Sequence, residues 1–421
     1  MAARCYTGGR TTVRRARLRQ EAAGIEGTRK TLVNSLPQSS SISDMGGSAA
    51  SVAAAPGAAQ IERKVNPPAA RAGADQPPRH DEHGGAASSR SGQGSSGATV
   101  RFRPAAESDT RPGRRYCLIT PCRDEEQFAE VTLRSIAEQA EPPTLWIVVD
   151  DGSKDGTPEI LRRWQERLPY LRVITRPDRG ERKLGGGVID AFYDGYHAID
   201  PSDFDYICKL DLDLQLPATY FADVMDAMEA DGRLAVFSGK PYFRRGTRLT
   251  SEMCGDENAV GMVKFYRVEA FEQIGGFVRE VMWDGIDGHR CRMLGWRAES
   301  RDDPKLRFVH LRPMGTSHKS WWTGRARHGR GQYFMGTAPL YMLASAIYRM
   351  SRPPRVIGGI AMLWGYVRSG LSGSRRYEDE QFRRFLRRYQ WMCLLMGKKR
   401  ATRKIEAEHA RDFRGATTAR D

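Results

Sequence analysis

Runs of continuous apolar residues alternate with segments of helical periodicity in the middle of this chain. Residues 116–120 and 144–149 contain no charged side chain, which is typical of strands buried on both faces of a parallel sheet. Further strands are predicted at 171–175, 206–210 and 234–238, and helices at 126–139, 157–168, 188–198 and 218–230. The alternation predicts a doubly wound α/β sheet.

The pattern is less regular after residue 240. We predict a Gly- and Arg-rich loop at 241–257, a helix at 287–294 and a strand at 307–311. Three apolar or amphipathic segments then close the chain at 338–350, 356–371 and 381–396, with arginines between them. Two interpretations stand for residues 339–350 and 356–367: helices in a membrane interface with arginines at anionic headgroups, or core helices packed on the α/β domain.

Composition divides the chain into four parts. Gly, Ala, Ser, Pro and Arg dominate residues 35–110, so we predict a disordered low-complexity segment over 1–113. The α/β domain is predicted at 114–335, an amphipathic helical region at 336–400 and a basic tail at 401–421. No apolar run is long enough for a spanning helix, so we predict no transmembrane segment.

Charge and cysteine usage restrict the partners and the compartment. The chain has 67 lysines and arginines against 51 aspartates and glutamates, a net charge of +16, which favours anionic partners such as nucleic acid, anionic lipid or phosphorylated substrates. No known nucleic-acid-reading pattern is present, which disfavours nucleic acid. The seven cysteines lack paired metal or redox spacing, and the amino terminus lacks a secretory signal. We therefore expect a cytoplasmic protein, with the inner face of the cytoplasmic membrane as a peripheral location.

Acidic side chains follow three of the predicted strands. They are Glu125 after the first strand, Asp150 and Asp151 after the second, and Asp211 and Asp213 after the fourth. Strands joined by right-handed crossovers point the same way, so these loops should line one crevice. Clustered carboxylates repel each other unless a cation lies among them, and oxygen ligands suit Mg²⁺ or Mn²⁺. The alternative for Asp150 and Asp151 is a solvated turn, and the alternative for Asp211 and Asp213 is surface charge at a strand end.

Taken in order, these segments resemble the family 2 glycosyltransferases with the GT-A fold. The resemblance covers residues 116–296. It rests on P-x-R-x-E-E at 121–126, VDDGSKDGT at 149–157 and DLDLQLP at 211–217, the last being similar to the D-x-D-x-Q-x-P of polyprenol-phosphate sugar synthases. It implies a Rossmann-like, mostly parallel, doubly wound sheet with a C-terminal helical extension.

The resemblance also implies roles for individual residues. The donor nucleotide is expected to contact Pro121, Arg123, Glu125, Asp150, Asp151, Lys183 and Asp211. Asp213 and Gln215 are expected to bind the metal, and Asp211 to face the ribose or the metal.

Residues beyond the matched motifs are candidates from their own chemistry. His310 and His318 flank a basic loop from which either reaches the metal or the diphosphate, while structural histidines are the alternative. Trp321, Trp322 and Arg325 suggest a lid over the diphosphate or the acceptor. A solvated basic loop packed by its tryptophans is the competing interpretation.

The segment WDGID at 283–287 is similar to the acidic acceptor-site motif of the family. Counting back from Gly295 and Trp296 places Asp284 at the position of the general base, and Asp287 is the second candidate. A helix cap is the structural alternative for Asp284.

The predicted function is transfer of a sugar from a nucleotide-sugar donor to an acceptor hydroxyl or a lipid-linked acceptor. The resemblance implies a metal-dependent, inverting reaction in cell-envelope or exopolysaccharide biosynthesis. A sugar-phosphate nucleotidyltransferase shares the sheet and the acidic rim, although a Gly-rich loop would be expected after its first strand. A non-enzymatic basic nucleic-acid-binding protein is the second alternative, because it accounts for the charge.

Overall fold

The structure is a computed structural model that describes residues 101–103, 113–178, 180, 186–312, 320–352 and 354–413. The segment predicted to be disordered, 1–113, lies almost entirely outside the described residues. The strands are β1 Tyr116–Cys122, β2 Leu145–Asp150, β3 Leu171–Thr175, β4 Tyr206–Leu210, β5 Leu214–Gln215, β6 Leu234–Ser238, β7 Pro241–Arg245, β8 Arg248–Ser251, β9 Val263–Arg267, β10 Arg297–Ser300 and β11 Phe308–His310. The α-helices are α1 Glu126–Ala137, α2 Thr157–Arg167, α3 Gly186–His197, α4 Tyr220–Ala230, α5 Val268–Gln273, α6 Trp283–Met293, α7 Trp321–Met335, α8 Pro339–Met350, α9 Ile357–Leu371, α10 Glu380–Met396 and α11 Lys398–Glu408.

A seven-stranded sheet forms the centre of the fold, in the order β10-β6-β9-β4-β1-β2-β3. Neighbouring strands run parallel except around β9, which is antiparallel to both β4 and β6. Leu118 of β1 joins the apolar layer beneath α1, α2 and α4, while the next residue, Ile119, joins the layer beneath α3 and α5. The predicted doubly wound, mostly parallel α/β fold is confirmed.

The prediction of a loop at 241–257 is wrong in its first part. Residues Pro241–Arg245 and Arg248–Ser251 form an antiparallel hairpin, and a second sheet in the order β5-β11-β7-β8 contains it. All but one of its side chains are half-buried or exposed, so the apolar periodicity that marks a buried strand is absent from the sequence. This hairpin matters for the site because Glu252 follows β8 directly.

The carboxyl-terminal helices pack on the sheet domain and on one another. Helices α7 and α9 are in backbone contact: a methyl group built on Gly329 would lie 1.8 Å from the carbonyl oxygen of Met362, and one built on Gly365 would lie 1.9 Å from that of Ala326. Glycine is therefore required at both crossing points. The three predicted terminal segments are helical, and α7 is a helix where a basic loop was the competing interpretation.

Two further observations concern the ends of the chain. Helix α11 extends across the boundary at residue 400 into the segment predicted as a basic tail. None of the helices that the structure describes combines the length and the apolarity that crossing a membrane requires.

Candidate active site

The loops after β1, β2 and β4 lie at one edge of the main sheet. β1 is hydrogen-bonded between β2 and β4 in parallel register, and its last residue, Cys122, pairs with Asp150 at the end of β2. Because parallel strands end on the same side, the loops that begin at Arg123, Asp151 and Asp211 are neighbours. The topology therefore brings the predicted acidic loops together.

A partly buried network of hydrogen bonds and ion pairs forms the first part of this edge. Arg123 donates through Nη1 to the carbonyl oxygen of Asp151 at 2.9 Å and through Nη2 to Oδ1 of Asp178 at 2.8 Å. Arg176 donates to Oδ1 of Asp151 at 2.8 Å and contacts Asp194 at 2.7 Å. Arg176 and Asp178 were not among the predicted site residues. Their position directly after the third strand was the signal that places them at this edge.

Asp150 and Pro121 lie beneath this network. Asp150 is 1% exposed, and its Oδ1 accepts hydrogen bonds from the backbone N–H and the hydroxyl of Ser153 at 3.0 and 2.6 Å. It fixes the turn from which Asp151 projects. Pro121 is buried in β1 opposite Val149. Both residues thus shape the floor of the edge.

Asp213 and His310 form the second part of the edge. His310 Nδ1 lies 2.9 Å from Glu252 Oε2, and its Nε2 lies 3.7 Å from Asp213 Oδ2. The strands β5 and β11, which are antiparallel neighbours, bring the two residues together, because Asp213 precedes β5 and His310 ends β11. Sequence reasoning selected His310 and Asp213 but missed Glu252, which the unpredicted hairpin supplies.

Arg312 joins the two parts of the edge. Its guanidinium forms an ion pair with Glu125, lies 3.8 Å from Oδ2 of Asp213 and stacks 4.9 Å from the ring centroid of Phe128. Glu125 is in turn fixed by its backbone N–H, which donates to the hydroxyl of Thr157 at 2.8 Å. Arg312 was not predicted, since only the fold brings residue 312 near residue 125.

Asp211 lies on the side of the edge that faces the second half of the domain. Lys209 forms an ion pair with Asp211 and donates to the carbonyl oxygen of Gly261 at 3.0 Å. The same ammonium lies 5.5 Å from the ring centroid of Trp283. Gln215, the third residue of the predicted ligand series, is exposed in β5.

The surroundings shift the pKa values of three groups at this edge. Burial raises the pKa of Asp211, and the charge of Lys209 only partly offsets it. Burial also raises the pKa of Asp213, but the interactions with His310 and Arg312 outweigh it and hold the pKa below its usual value. For His310, burial lowers the pKa, while Asp213 and Glu252 together raise it to about 9. The edge therefore carries an ionised Asp213 at neutral pH.

One oxygen of this cluster lacks a partner among the described residues. Oδ1 of Asp213 is buried without a hydrogen bond, although leaving a buried polar atom unsatisfied is costly. Within the described residues no three acidic, histidine or cysteine side chains form a complete metal cage. This donor set fits Mg²⁺ or Mn²⁺, which are commonly bound by one or two carboxylates together with substrate phosphates.

Asp284 lies in the first turn of α6, where its side chain is exposed to a cleft beside Gly261. A methyl group built on Gly261 would lie 3.3 Å from Oδ2 of Asp284, so this carboxylate neighbours the Lys209–Gly261 contact. It borders a cavity of about 270 Å³ lined by Val281, Met282, Trp283, Gly324, Arg327 and His328. Although Asp284 is exposed to the cleft, the dense protein around it desolvates the carboxyl and raises its pKa. α6 begins without a side-chain cap hydrogen bond within the described residues, so Asp284 does not serve as a cap.

Asp287 occupies a different environment. Its side chain is 1% exposed and forms contacts with the ammonium of Lys264 and the hydroxyl of Tyr266. Lys264 also donates to the carbonyl oxygen of Asp284 at 2.9 Å. Asp287 is thus placed inside the protein, where it supports the turn that carries Asp284.

Of the remaining predicted residues, the structure describes some in full, one by its backbone and two not at all. Lys183 and His318 fall outside the described residues. Trp321 begins α7 and is described by its backbone alone. Trp322 is half-buried, and its backbone N–H donates to the hydroxyl oxygen of Ser320, the N-cap of α7, at 3.1 Å. Arg325 is half-buried on α7, the helix that supplies Arg327 to the Asp284 cavity.

Comparison with known proteins defines the class. Residues 117–254 match the model of glycosyl transferase family 2, and this range contains the three acidic loops at the sheet edge. The chain is a glycosyltransferase, and its residues 117–254 are similar to family 2. Neither the nucleotidyltransferase nor the nucleic-acid-binding alternative is therefore retained.

Individual relatives are distant. The chain is 23% identical over 244 residues to the succinoglycan biosynthesis protein ExoA of Rhizobium meliloti (strain 1021), which covers 52% of this chain and 72% of the relative. It is 19% identical to the mannosyltransferase PcManGT from Pyrobaculum calidifontis in complex with GDP-Man and Mn²⁺, over 71% of this chain and 85% of that one, with a TM-score of 0.41. It is 14% identical to S. aureus TarS in complex with UDP-GlcNAc, over 71% and 92% of the two chains, with a TM-score of 0.38.

Proposed function

We propose that this glycosyltransferase moves a sugar from a nucleotide-sugar donor to a hydroxyl of a carbohydrate or lipid-linked acceptor, in a metal-dependent, inverting reaction. The observation that carries the proposal is Oδ1 of Asp213, which is buried and has no hydrogen-bond partner among the residues that the structure describes. The similarity to a succinoglycan biosynthesis protein supports a role in exopolysaccharide or cell-envelope synthesis. A cytoplasmic location remains part of this proposal.

The donor would occupy the edge between Asp151 and Asp213. In our proposal Arg123 and Asp151 hold the nucleotide, Asp150 and Pro121 shape its pocket, and Glu125 positions Arg312 toward the diphosphate. Arg312 lies between the Glu125 and Asp213 carboxylates, and a guanidinium is well suited to phosphate oxygens. Lys183 is proposed as a further phosphate contact on the strength of the family resemblance alone.

Asp213 would hold the divalent cation. Asp211, two residues earlier, is the neighbouring candidate, with Gln215 on the same segment. His310, fixed by Glu252, would bind the cation only after losing the proton that Asp213 and Glu252 stabilise. When bound, the cation offsets the negative charge that develops on the leaving diphosphate. Asp213 is kept ionised for this role by His310 and Arg312.

The acceptor would approach from the side of Asp284. The carboxylate of Asp284 takes the proton of the acceptor hydroxyl. The hydroxyl oxygen attacks the anomeric carbon of the donor sugar on the face opposite the departing diphosphate. Trp283, Arg327 and the His328 ring border the same cavity and would confine the acceptor. Trp322 and Arg325, on the first turns of α7, are proposed to close over the diphosphate or acceptor together with His318 and Trp321.

A ligand screen tests the proposal directly. Thermal stability is measured with UDP-, GDP- and dTDP-sugars, each with and without Mn²⁺. A matching donor at about 100 times its Kd is expected to add roughly 2.7 kcal/mol of stability, and the gain should depend on Mn²⁺.

The variant Asp213→Asn, measured in the same screen, tests whether Asp213 binds the metal. It should abolish the Mn²⁺-dependent part of the shift, since the neutral amide is a poor ligand for hard cations. Asp226→Asn, an exposed change in an ion pair with Arg114, is the matched control and should keep the full shift. A Mn²⁺-dependent shift that survives Asp213→Asn would remove Asp213 from the metal site.

A further inference from the structure

Basic side chains accumulate without any acidic ones in one long segment. Residues 304–377 contain 13 lysines and arginines and no aspartate or glutamate. This segment includes the helical hairpin formed by α8 and α9, so the hairpin itself contributes arginines and no acidic side chain. The local charge favours a partner with negative charge.

The outer side of the same hairpin is apolar. One stripe of side chains runs along each helix with spacings of three and four residues, so each stripe occupies a single helix face. The exposed members are Leu340, Leu343 and Ile347 on α8 and Ile357, Ile360, Trp364, Val367 and Leu371 on α9, with exposures between 43% and 84%. The opposite sides of the helices are buried, through Met342 and Ala346 on α8 and Ala361 and Met362 on α9.

Arginines border this apolar face at the connection between the helices and along α9. Arg349 and Arg352 end α8 and its turn, and Arg355 and Arg368 are exposed beside apolar members of the stripe. An amphipathic element with an apolar face and flanking cations is suited to a lipid interface, where the side chains enter the acyl boundary and the cations meet headgroups. A second copy of the chain would instead bring two basic surfaces into contact, which their like charge opposes.

We infer that the α8–α9 hairpin docks on the surface of an anionic lipid bilayer, lying in the interface without crossing it. The location of the hairpin gives this docking a consequence for catalysis. α9 contacts α7 backbone to backbone at Gly329 and Gly365, and α7 supplies Gly324, Arg327 and His328 to the Asp284 cavity. The docked surface is therefore one helix layer away from the proposed base, on the side from which an acceptor would arrive.

Vesicle co-sedimentation of the full chain tests the docking independently of transferase activity. Vesicles of equal parts phosphatidylcholine and phosphatidylglycerol should bind the chain at least about tenfold more tightly than pure phosphatidylcholine, since each basic side chain near an anionic surface adds to the attraction. The preference should weaken with added salt. The double variant Arg355→Gln with Arg368→Gln should lose most of it.

Matched apolar variants locate the contact. Ile360→Gln with Trp364→Gln should weaken binding to the anionic vesicles by about tenfold, because two inserted side chains no longer leave water. Trp391→Gln with Leu395→Gln on α10 is the control, with the same spacing and a comparable tryptophan exposure of 51% against 50%. All four sites are exposed, so the variants should keep the circular dichroism spectrum of the parent.

Three results would overturn the inference. The first is equal, salt-independent binding to both vesicle types. The second is an equal loss of binding in the α10 control, which would place the contact elsewhere. The third is a dimeric parent without vesicle binding that becomes monomeric when Ile360 and Trp364 are replaced, which would assign the face to a second copy of the chain.

Discussion

Asp284→Asn is expected to lower kcat by about 10²- to 10⁴-fold, which corresponds to roughly 3 to 5 kcal/mol of activation free energy. Asparagine keeps the shape of the side chain in the cleft but cannot accept the proton of the acceptor hydroxyl. Release of nucleoside diphosphate in the presence of acceptor measures the effect. Thermal stability should change little, because Asp284 is exposed to the cleft and does not cap α6.

The pH dependence of the same reaction supplies a second measurement of this prediction. The pKa of Asp284 is raised, chiefly by desolvation, and only the carboxylate acts as a base. kcat/KM should therefore rise with pH through a value above the usual aspartate pKa and then level off. Asp284→Asn should remove that acid limb from the residual activity, while Asp226→Asn keeps it. Full activity of Asp284→Asn would exclude this residue as the base.

The central strands were predictable because burial on both faces leaves a direct trace in the sequence. β1 and β2 are continuous apolar runs, and the structure places both within two residues of the predicted bounds. The hairpin of β7 and β8 leaves no such trace. Its strands are polar and are held by pairing with each other and with β11, some sixty residues further on. The pairing of β7 with β11 arises from the tertiary fold, so the local sequence does not indicate it.

β9 was not predicted for a related reason. Its sequence, Val263–Arg267, contains a lysine at its second position, and a lysine is among the residues least often buried. Lys264 is nevertheless fully buried because Asp287 neutralises it from α6. The two residues are 23 positions apart, so neither periodicity nor local composition indicates the pair.

Some residues of the site could likewise be predicted from motifs, while others reach the site only through the tertiary fold. The loops at Arg123, Asp151 and Asp213 were predictable from their position after strands. The partners that orient them, Asp178, Glu252 and Arg312, come from segments that carry no motif and become neighbours only through tertiary structure. Adjacent residues of one motif also differ in environment: Asp150 is bonded to its own turn, while Asp151 faces Arg176. Sequence pattern identified the edge but not this difference.

Asp287→Ala is expected to lower the free energy of unfolding by about 3 to 5 kcal/mol, because it leaves the buried ammonium of Lys264 without its counter-ion. The hydroxyl of Tyr266 and the backbone N–H of Gly288, which donates to Asp287 at 2.6 Å, lose an acceptor as well. Urea denaturation measures the loss as a lower midpoint with an unchanged slope.

The double variant Lys264→Met with Asp287→Leu separates the charge from the packing. Replacing both members of a buried ion pair by apolar side chains is often neutral for stability, so the double variant should recover a large part of the loss seen in Asp287→Ala. It should not recover full transferase activity, because Lys264 also holds the carbonyl oxygen of Asp284 at 2.9 Å and thereby orients the first turn of α6. Equal destabilisation of the single and double variants would mean that packing around Asp287, and not the buried charge of Lys264, accounts for the effect. The stability result depends only on the buried pair, whereas the activity result depends on Asp284 being the base, so the two measurements test the fold and the mechanism separately.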